Sequence, residues 1–252
     1  MAIASILILG GTSEARSLAQ RLDEAGVPVI SSLAGSVSRP RLPAGETRIG
    51  GFGGADGLAL WLAERSIGAV VDATHPFALR ISASAISACA SAGVPLLRLE
   101  RPGWEARPGD RWHWVDDLGQ AAAAVGDLGA RTLLTSGRQG LAAFAHDEIT
   151  WFLIRCVDPP SSPLPPRHMV VLDRGPYTLE GELALIDDHQ IDLLVTKDSG
   201  GSLTEAKLEA ARLRSLPVIV IRRPAREERI PTVATVGEAA DWLALGDPRQ
   251  LG

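Results

Sequence analysis

The residues best suited to chemistry gather in short polar strings that directly follow β-prone apolar runs. After Ala4 to Leu9 comes Gly10-Gly11-Thr12-Ser13-Glu14-Ala15-Arg16, in which Gly10 and Ala15 take the first and last places of a dinucleotide fingerprint and Thr12 replaces the middle glycine. Glycine permits the tight turn, a helix starting there presents free N–H groups to a pyrophosphate, and a small Ala15 lets helix and strand approach. The same string also suits a generic strand-to-helix turn with Ser13 as the helix cap. The second strand ends in Ser31-Ser32, where an NAD site usually carries an acid for the ribose hydroxyls, so the missing acid favours NADP. Arg16, in the first helical turn, or Arg39, beyond the second strand, can pair with a 2′-phosphate; either also suits a solvated surface.

A second string, Asp72-Ala73-Thr74-His75-Pro76, puts an acid, a hydroxyl and an imidazole at a strand's carboxyl end, before a helix expected to open at Pro76. His75 can donate hydrogen bonds or protons there, or be structural; Asp72 can cap the helix or orient His75. Thr135-Ser136-Gly137-Arg138-Gln139-Gly140 joins an expected strand to an expected helix and offers hydroxyls, an amide and a guanidinium, an anion-ready combination. Val195-Thr196-Lys197-Asp198-Ser199-Gly200-Gly201 adds a lysine among glycines whose N–H groups can approach a ligand, though the spacing is not that of a Walker A loop. A mobile Gly-Ser turn is its bland alternative. Gly50-Gly51-Phe52-Gly53-Gly54 and Asp173-Arg174-Gly175-Pro176-Tyr177 are glycine-bearing loops that hold backbone against a ligand or simply turn tightly. Tyr177 is the only tyrosine and residue 181 is glycine, so the Tyr-x-x-x-Lys donor pair of short-chain dehydrogenases is absent.

What must position these strings is a series of β-rich runs alternating with Ala/Leu-rich amphipathic stretches, the pattern of βα units feeding parallel sheets. Strands are expected at Ala4 to Leu9, Val27 to Ser31, Thr47 to Ile49, Ala69 to Asp72 and Pro95 to Leu99. A second set follows near Arg131 to Thr135, Trp151 to Cys156, Met169 to Leu172, Asp192 to Val195 and Val218 to Ile221. Helices in the first half start from about Ser13, Gly57 and Pro76, and Arg111 to Val115 reads as an extended connector. The fold class is therefore α/β: two Rossmann-like lobes, 1–115 and 116–252, with largely parallel sheets, helices on both faces and a ligand cleft between the lobes. The proline-rich stretch from Asp158 to Pro166 must be a surface loop, and Gly246 to Gly252 a frayed tail.

Composition narrows the function. At 46% hydrophobic and 22% charged residues the chain has ample material for a core. A formal charge of -5 argues against nonspecific nucleic-acid binding, which needs a basic excess. The run Ile6 to Leu9 is far too short for a membrane span. Cys89 and Cys156 lack the spacing of a metal site or a disulfide framework, which leaves core packing in a reducing cytoplasm.

Taken together, GGTSEAR at 10–16, SLAG at 32–35, GGFGG at 50–54, DATHPFA at 72–78, RLERPGW at 98–104, TSGRQGL at 135–141, RGPYTLEGE at 174–182, TKDSGG at 196–201 and VIVIRRP at 218–224 resemble, in order and over nearly the whole chain, the precorrin-6A reductases of cobalamin biosynthesis. Tyr177 departs from that pattern, which more often carries phenylalanine there, so its hydroxyl is not expected to act as an acid. The resemblance implies reduction of the precorrin-6A macrocycle to precorrin-6B by hydride from NADPH, without metal or flavin; beside it, a cytoplasmic monomer is expected. Fitted to that reaction, the residues' own chemistry points to Gly10, Gly11, Thr12, Ser13, Arg16, Ser32 and Ser199 for the cofactor, and to Thr74, Arg138, Gln139, Lys197 and Asp198 for a tetrapyrrole with many carboxylates. The proton that completes the reduction then comes from His75, Lys197 or a bound water. A noncatalytic NADP-binding sensor and a tetrapyrrole carrier are the alternatives, and the abundance of anion-ready loops in the second lobe speaks against the sensor.

Overall fold

Strand β1 (Ser5–Leu9) reads Ser-Ile-Leu-Ile-Leu, and its apolar residues are buried on both faces, which only a central strand covered by helices on both sides can satisfy. In the computed structural model, which describes residues 4–35, 40–225 and 230–244, that is its position. Ile6 and Ile8 pack on Ala15, Leu18, Ala19 and Leu22 of α1 (Ser13–Glu24) and on Ala239 of α7 (Val236–Ala244). Leu7 and Leu9 face the other way, onto Leu58 and Leu62 of α2 (Ala55–Glu64) and Ala85, Ala88 and Cys89 of α3 (Leu79–Ala92). The remaining strands are β2 (Val29–Leu33), β3 (Glu46–Ile49), β4 (Ile67–Asp72), β5 (Leu96–Leu99) and β12 (Thr232–Val233). They form one parallel sheet in the order β12-β5-β4-β1-β2-β3.

The second unit repeats this plan. Strands β6 (Arg111–Val115), β7 (Arg131–Leu134), β8 (Trp151–Cys156), β9 (His168–Leu172), β10 (Leu193–Lys197) and β11 (Pro217–Ile221) form a parallel sheet in the order β6-β11-β10-β7-β8-β9. Helices α5 (Leu179–Asp188) and α6 (Ala206–Leu213) bury Ile186, Leu208, Ala210 and Ala211 with Leu133, Leu153, Leu194 and Val218 of the strands. Helix α4 (Leu118–Leu128) is capped by Asp117, packs on β11 and β10, and buries Ala121 and Val125.

The units do not divide at residue 115. One holds the chain up to Pro102 and again from Ala225 onward, and the other holds Gly103–Pro224. Each sheet gains a sixth strand that the sequence did not show: β6 lies within the second unit's own segment, whereas β12 reaches the first sheet only after the chain has passed through the second unit. The expected connector Arg111 to Val115 is β6, paired with β11 from Pro217↔Arg111 to Ile221↔Val115. After β11 the chain returns to the first unit, where Thr232 and Val233 pair with Arg98 and Leu99 of β5. Edge strands carry weak apolar patterning because one side and much of one face stay open, so neither showed as a strand in the sequence.

Three helix expectations also change. Pro76 lies in a turn closed by Ala78 N–H to His75 O (2.8 Å), and α3 begins only at Leu79. The Thr135–Gly140 string leads to a 3-10 segment, Leu141–Phe144, not to an α-helix. The proposed cap Ser13 is the first helical residue, with Thr12 as the cap. Arg39 and the tail 246–252 lie outside the described residues.

Candidate functional site

In the first unit β1 runs on to β2 on one side and has β4 on the other, and the ends of β1 and β4 meet at Leu9↔Asp72. Such a reversal opens a crevice beyond the strands' carboxyl ends. The fingerprint turn fills one side of it. Thr12, buried and extended, accepts the Ala15 N–H (3.1 Å) as N-cap of α1 and donates to Ala73 O (2.7 Å), tying the β1 turn to the β4 turn. Gly11 is exposed at φ +122°, and a Cβ there would meet nothing within 4 Å, so its backbone lies open to a phosphate. A Cβ on Gly10 would stand 3.6 Å from that of Ala15, the close helix–strand approach the fingerprint requires. The turn therefore fits a dinucleotide pyrophosphate at the positive end of a 12-residue helix.

Glu14 brings a negative charge into that first turn, and Arg101, unnoticed in the sequence, answers it at 2.6 Å. Burial would raise the Glu14 carboxyl, but its own backbone N–H, Arg101 and the Ser13 hydroxyl hold it below the ordinary carboxylate value. The Arg101 guanidinium thus offsets the carboxylate charge at the start of α1. Arg16 is half-buried on α1, its N–H on Thr12 O (3.4 Å).

On the other side of the crevice, Asp72 is 2% exposed and anchors its loop. Its Oδ1 accepts from Thr74 N (3.1 Å) and Thr74 Oγ1 (2.6 Å), its Oδ2 accepts from Ser82 Oγ (2.6 Å), and Arg98 stands 3.6 Å away. The Thr74 hydroxyl is thus engaged within the loop. His75 Nδ1 accepts the Phe77 N–H (3.3 Å), so the neutral ring carries its proton on Nε2. Burial and the nearby Asp72 charge push the Cys89 thiol up to about 12, which makes it inert packing. At the end of β2, Ser31 Oγ is buried with no hydrogen-bond partner among the described residues, and Ser32 Oγ accepts from Arg48 Nη1 (3.0 Å).

The second unit has the equivalent reversal between β7 and β10. Thr135 donates through both N–H (2.9 Å) and Oγ1 (3.0 Å) to Val195 O, which brings the 135–140 string beside the 197–201 string. Ser136 is buried, its Oγ without a hydrogen-bond partner among the described residues. Arg138 is half-buried and Gln139 exposed, and the Arg138 carbonyl accepts from Ser162 (3.2 Å). Burial pulls the Lys197 ammonium below the ordinary lysine value, and Ser199 closes a tight turn by donating its N–H to Lys197 O (2.7 Å).

Asp198 is committed inside the unit. Its carboxylate accepts from Trp104 N (3.0 Å) and lies 3.3 Å from Arg223 Nε. The Trp104 indole donates to Gly201 O (3.1 Å), and Lys207 Nζ caps the ring at 4.6 Å while donating to Thr204 O (2.6 Å). The string RLERPGW pointed to Trp104 only as a motif, since an indole's partner a hundred residues away leaves no local trace. Tyr177 packs under Arg155 (3.9 Å) and donates to Asp173 O (3.3 Å), a structural placement for its hydroxyl.

No described helix is long and apolar enough to cross a membrane. The precorrin-6A reductase of Rhodococcus erythropolis is 52% identical over 239 residues, covering 94% of this chain and 96% of that protein. That of Mycobacterium tuberculosis is 49% identical over 241 residues, covering 95% and 97%. A solved structure named CobK precorrin-6A reductase superposes with a TM-score of 0.91 at 44% identity, covering 96% of each chain. The model of the precorrin-6x reductases CbiJ/CobK matches residues 5–244, and with these relatives it shows that the chain belongs to that family.

Proposed function

We propose that the chain reduces precorrin-6A to precorrin-6B in cobalamin biosynthesis, with NADPH as hydride donor. The observation that carries this reading is the Thr12-capped turn of a family member at the β1/β4 reversal, where Thr12 Oγ1 joins the glycine turn to the loop bearing Thr74 and His75. Bound there, the nicotinamide cofactor supplies the hydride and the redox chemistry is its own. The protein binds, orients and handles the proton. Gly10, Gly11 and Ser13, with Thr12 shaping the turn, hold the pyrophosphate, and Ser32 lies toward the ribose.

Arg138, Gln139 and Lys197, joined in this proposal by Ser199, which the sequence reading gave to the cofactor, face an acidic macrocycle with hydrogen-bond donors and positive charge, which an overall acidic chain can supply only locally. Asp198 acts on this set from behind. With its carboxylate bound to Trp104 and Arg223, it positions Lys197 and Ser199 and does not touch substrate. The proton that completes the reduction comes from His75 Nε2 or the Lys197 ammonium, whose lowered pKa makes it a stronger acid than an ordinary lysine. Two buried free cysteines suit a reducing cytoplasm.

Anaerobic titration of the purified protein with NADPH and then NADH, followed by precorrin-6A, tests the reading. NADPH-dependent bleaching with a shift of the macrocycle spectrum is expected. Tight NADPH binding with an unchanged macrocycle would point to a sensor, macrocycle binding without reduction to a carrier, and no dinucleotide binding would remove the reading of the turn.

A further inference from the structure

Recognition of an adenosine ribose in this fold falls at the carboxyl end of β2, and there the chain sends in an arginine from the neighbouring strand. Arg48 of β3 is the register partner of Ser32 and donates from Nη1 to its hydroxyl at 3.0 Å. The carbonyl of Ser32 accepts from Gly10 N–H at 2.9 Å, so a single residue joins the glycine turn to the guanidinium. Nη1 also donates to Gly50 O and Nη2 to Gly51 O, each at 2.9 Å, and the guanidinium carbon lies 3.7 Å from the Phe52 ring centroid. These contacts hold the head group beside the end of β2.

All the hydrogen-bond partners are neutral. Three of the five guanidinium N–H groups are used, and among the described residues no carboxylate lies within ion-pair distance of Arg48. Partial burial lowers its pKa, as expected of a cation desolvated without a counter-charge. A dianionic phosphate monoester would supply that charge and use the two remaining N–H groups in the forked geometry that guanidinium favours.

We propose that Arg48 is the residue that selects the 2′-phosphate of the cofactor, and so NADPH over NADH. The inference rests on the dinucleotide reading of the Gly10–Thr12 turn. It shifts the phosphate contact from Arg16 on α1 to β3, and it gives the Gly50–Gly54 loop a task, since Gly50 and Gly51 orient the guanidinium through their carbonyls.

The test is the dissociation constants of NADPH and NADH, by fluorescence, for the unaltered protein and for Arg48→Gln, Arg48→Lys and Arg16→Ala, each checked for an unchanged melting temperature. Adenosine 2′,5′-bisphosphate and ADP serve as nicotinamide-free probes by calorimetry. Arg48→Gln is expected to weaken NADPH and the bisphosphate roughly 10- to 100-fold, the scale of a lost charged hydrogen bond, and to leave NADH and ADP within about threefold. Arg48→Lys keeps the charge without the fork, and its expected loss for NADPH is smaller. Equal weakening of both cofactors would reduce Arg48 to a loop clamp, and an unchanged preference in Arg48→Gln, or one lost in Arg16→Ala instead, would also overturn the proposal. An unaltered protein that binds both cofactors alike would sink 2′-phosphate selection and leave the reductase reading standing; one that binds neither would sink both.

Discussion

In one unit the chain leaves β1 through Gly10-Gly11-Thr12 into a 12-residue α-helix; in the other it leaves β7 through Thr135 to Gly140 into a four-residue 3-10 segment. The strand orders around these two connections correspond position by position. A long capped helix aligns its peptide dipoles at the turn and holds N–H groups toward an anion, whereas a single 3-10 turn sums almost no dipole. The same sheet topology therefore suits a nucleotide turn in one unit and, under the proposed function, a side-chain site around Arg138 and Lys197 in the other. On that proposal topology fixes where ligands can sit, and the connection after the central strand decides which kind.

Each unit holds a buried acid beside a buried arginine. Asp72 anchors the Thr74–His75 loop with Arg98 3.6 Å away, and Glu182, 1% exposed, is paired with Arg155 at 2.7 Å. Arg155→Ala, which leaves Glu182 buried without its partner, is expected to cost about 3–5 kcal/mol of stability. Thermal unfolding would show it, with the NADPH affinity of the folded protein unchanged. Lost NADPH affinity at an unaltered melting temperature would mean that the second unit shares in nucleotide binding.

Gly11 and Gly137 both sit at positive φ, +122° and +78°, with open space where a Cβ would go. Valine at either is strained by roughly 1–2 kcal/mol. Gly11→Val is expected to weaken NADPH about tenfold or more, and Gly137→Val to raise the KM for the macrocycle without touching NADPH. Equal effects on NADPH would erase the proposed division between the units. Thr12→Val removes the cap and the Ala73 anchor together, an expected loss of about 1 kcal/mol in stability alongside weaker NADPH binding. Thr12→Ser, which keeps the hydroxyl, should restore most of both.

The finest comparison is between the proton donors of the two units. If Lys197 supplies the proton, turnover is full while its ammonium is protonated and falls as pH rises through its lowered pKa, so the alkaline limb lies below that of an ordinary lysine. Lys197→Arg would abolish that limb. If it persists in Lys197→Arg and disappears in His75→Gln, the donor belongs to the first unit. Stability moves the opposite way: the unfolded state binds more protons between the lowered and the ordinary pKa, so the lysine's contribution improves as pH rises through that window.

Periodicity and turn chemistry alone determined that this is a parallel α/β chain of two Rossmann-like lobes, because each βα unit writes its pattern into about thirty neighbouring residues. They also placed Gly10 to Thr12, Thr74-His75, Arg138 and Lys197 at strand ends, since a glycine or hydroxyl after an apolar run is a local signal. The pairing of β6 with β11 and of β12 with β5 was decided in three dimensions, because an edge strand is defined by the partner it finds and not by its own burial pattern. The absence of an α-helix after β7 was equally invisible in a string that otherwise mimics the first unit's turn. Arg48 on Ser32, Arg101 on Glu14 and Asp198 on Trp104 join residues 16, 87 and 94 positions apart. Only folding brings such pairs within hydrogen-bond distance, and a sequence read along its length records the two partners without recording that they meet.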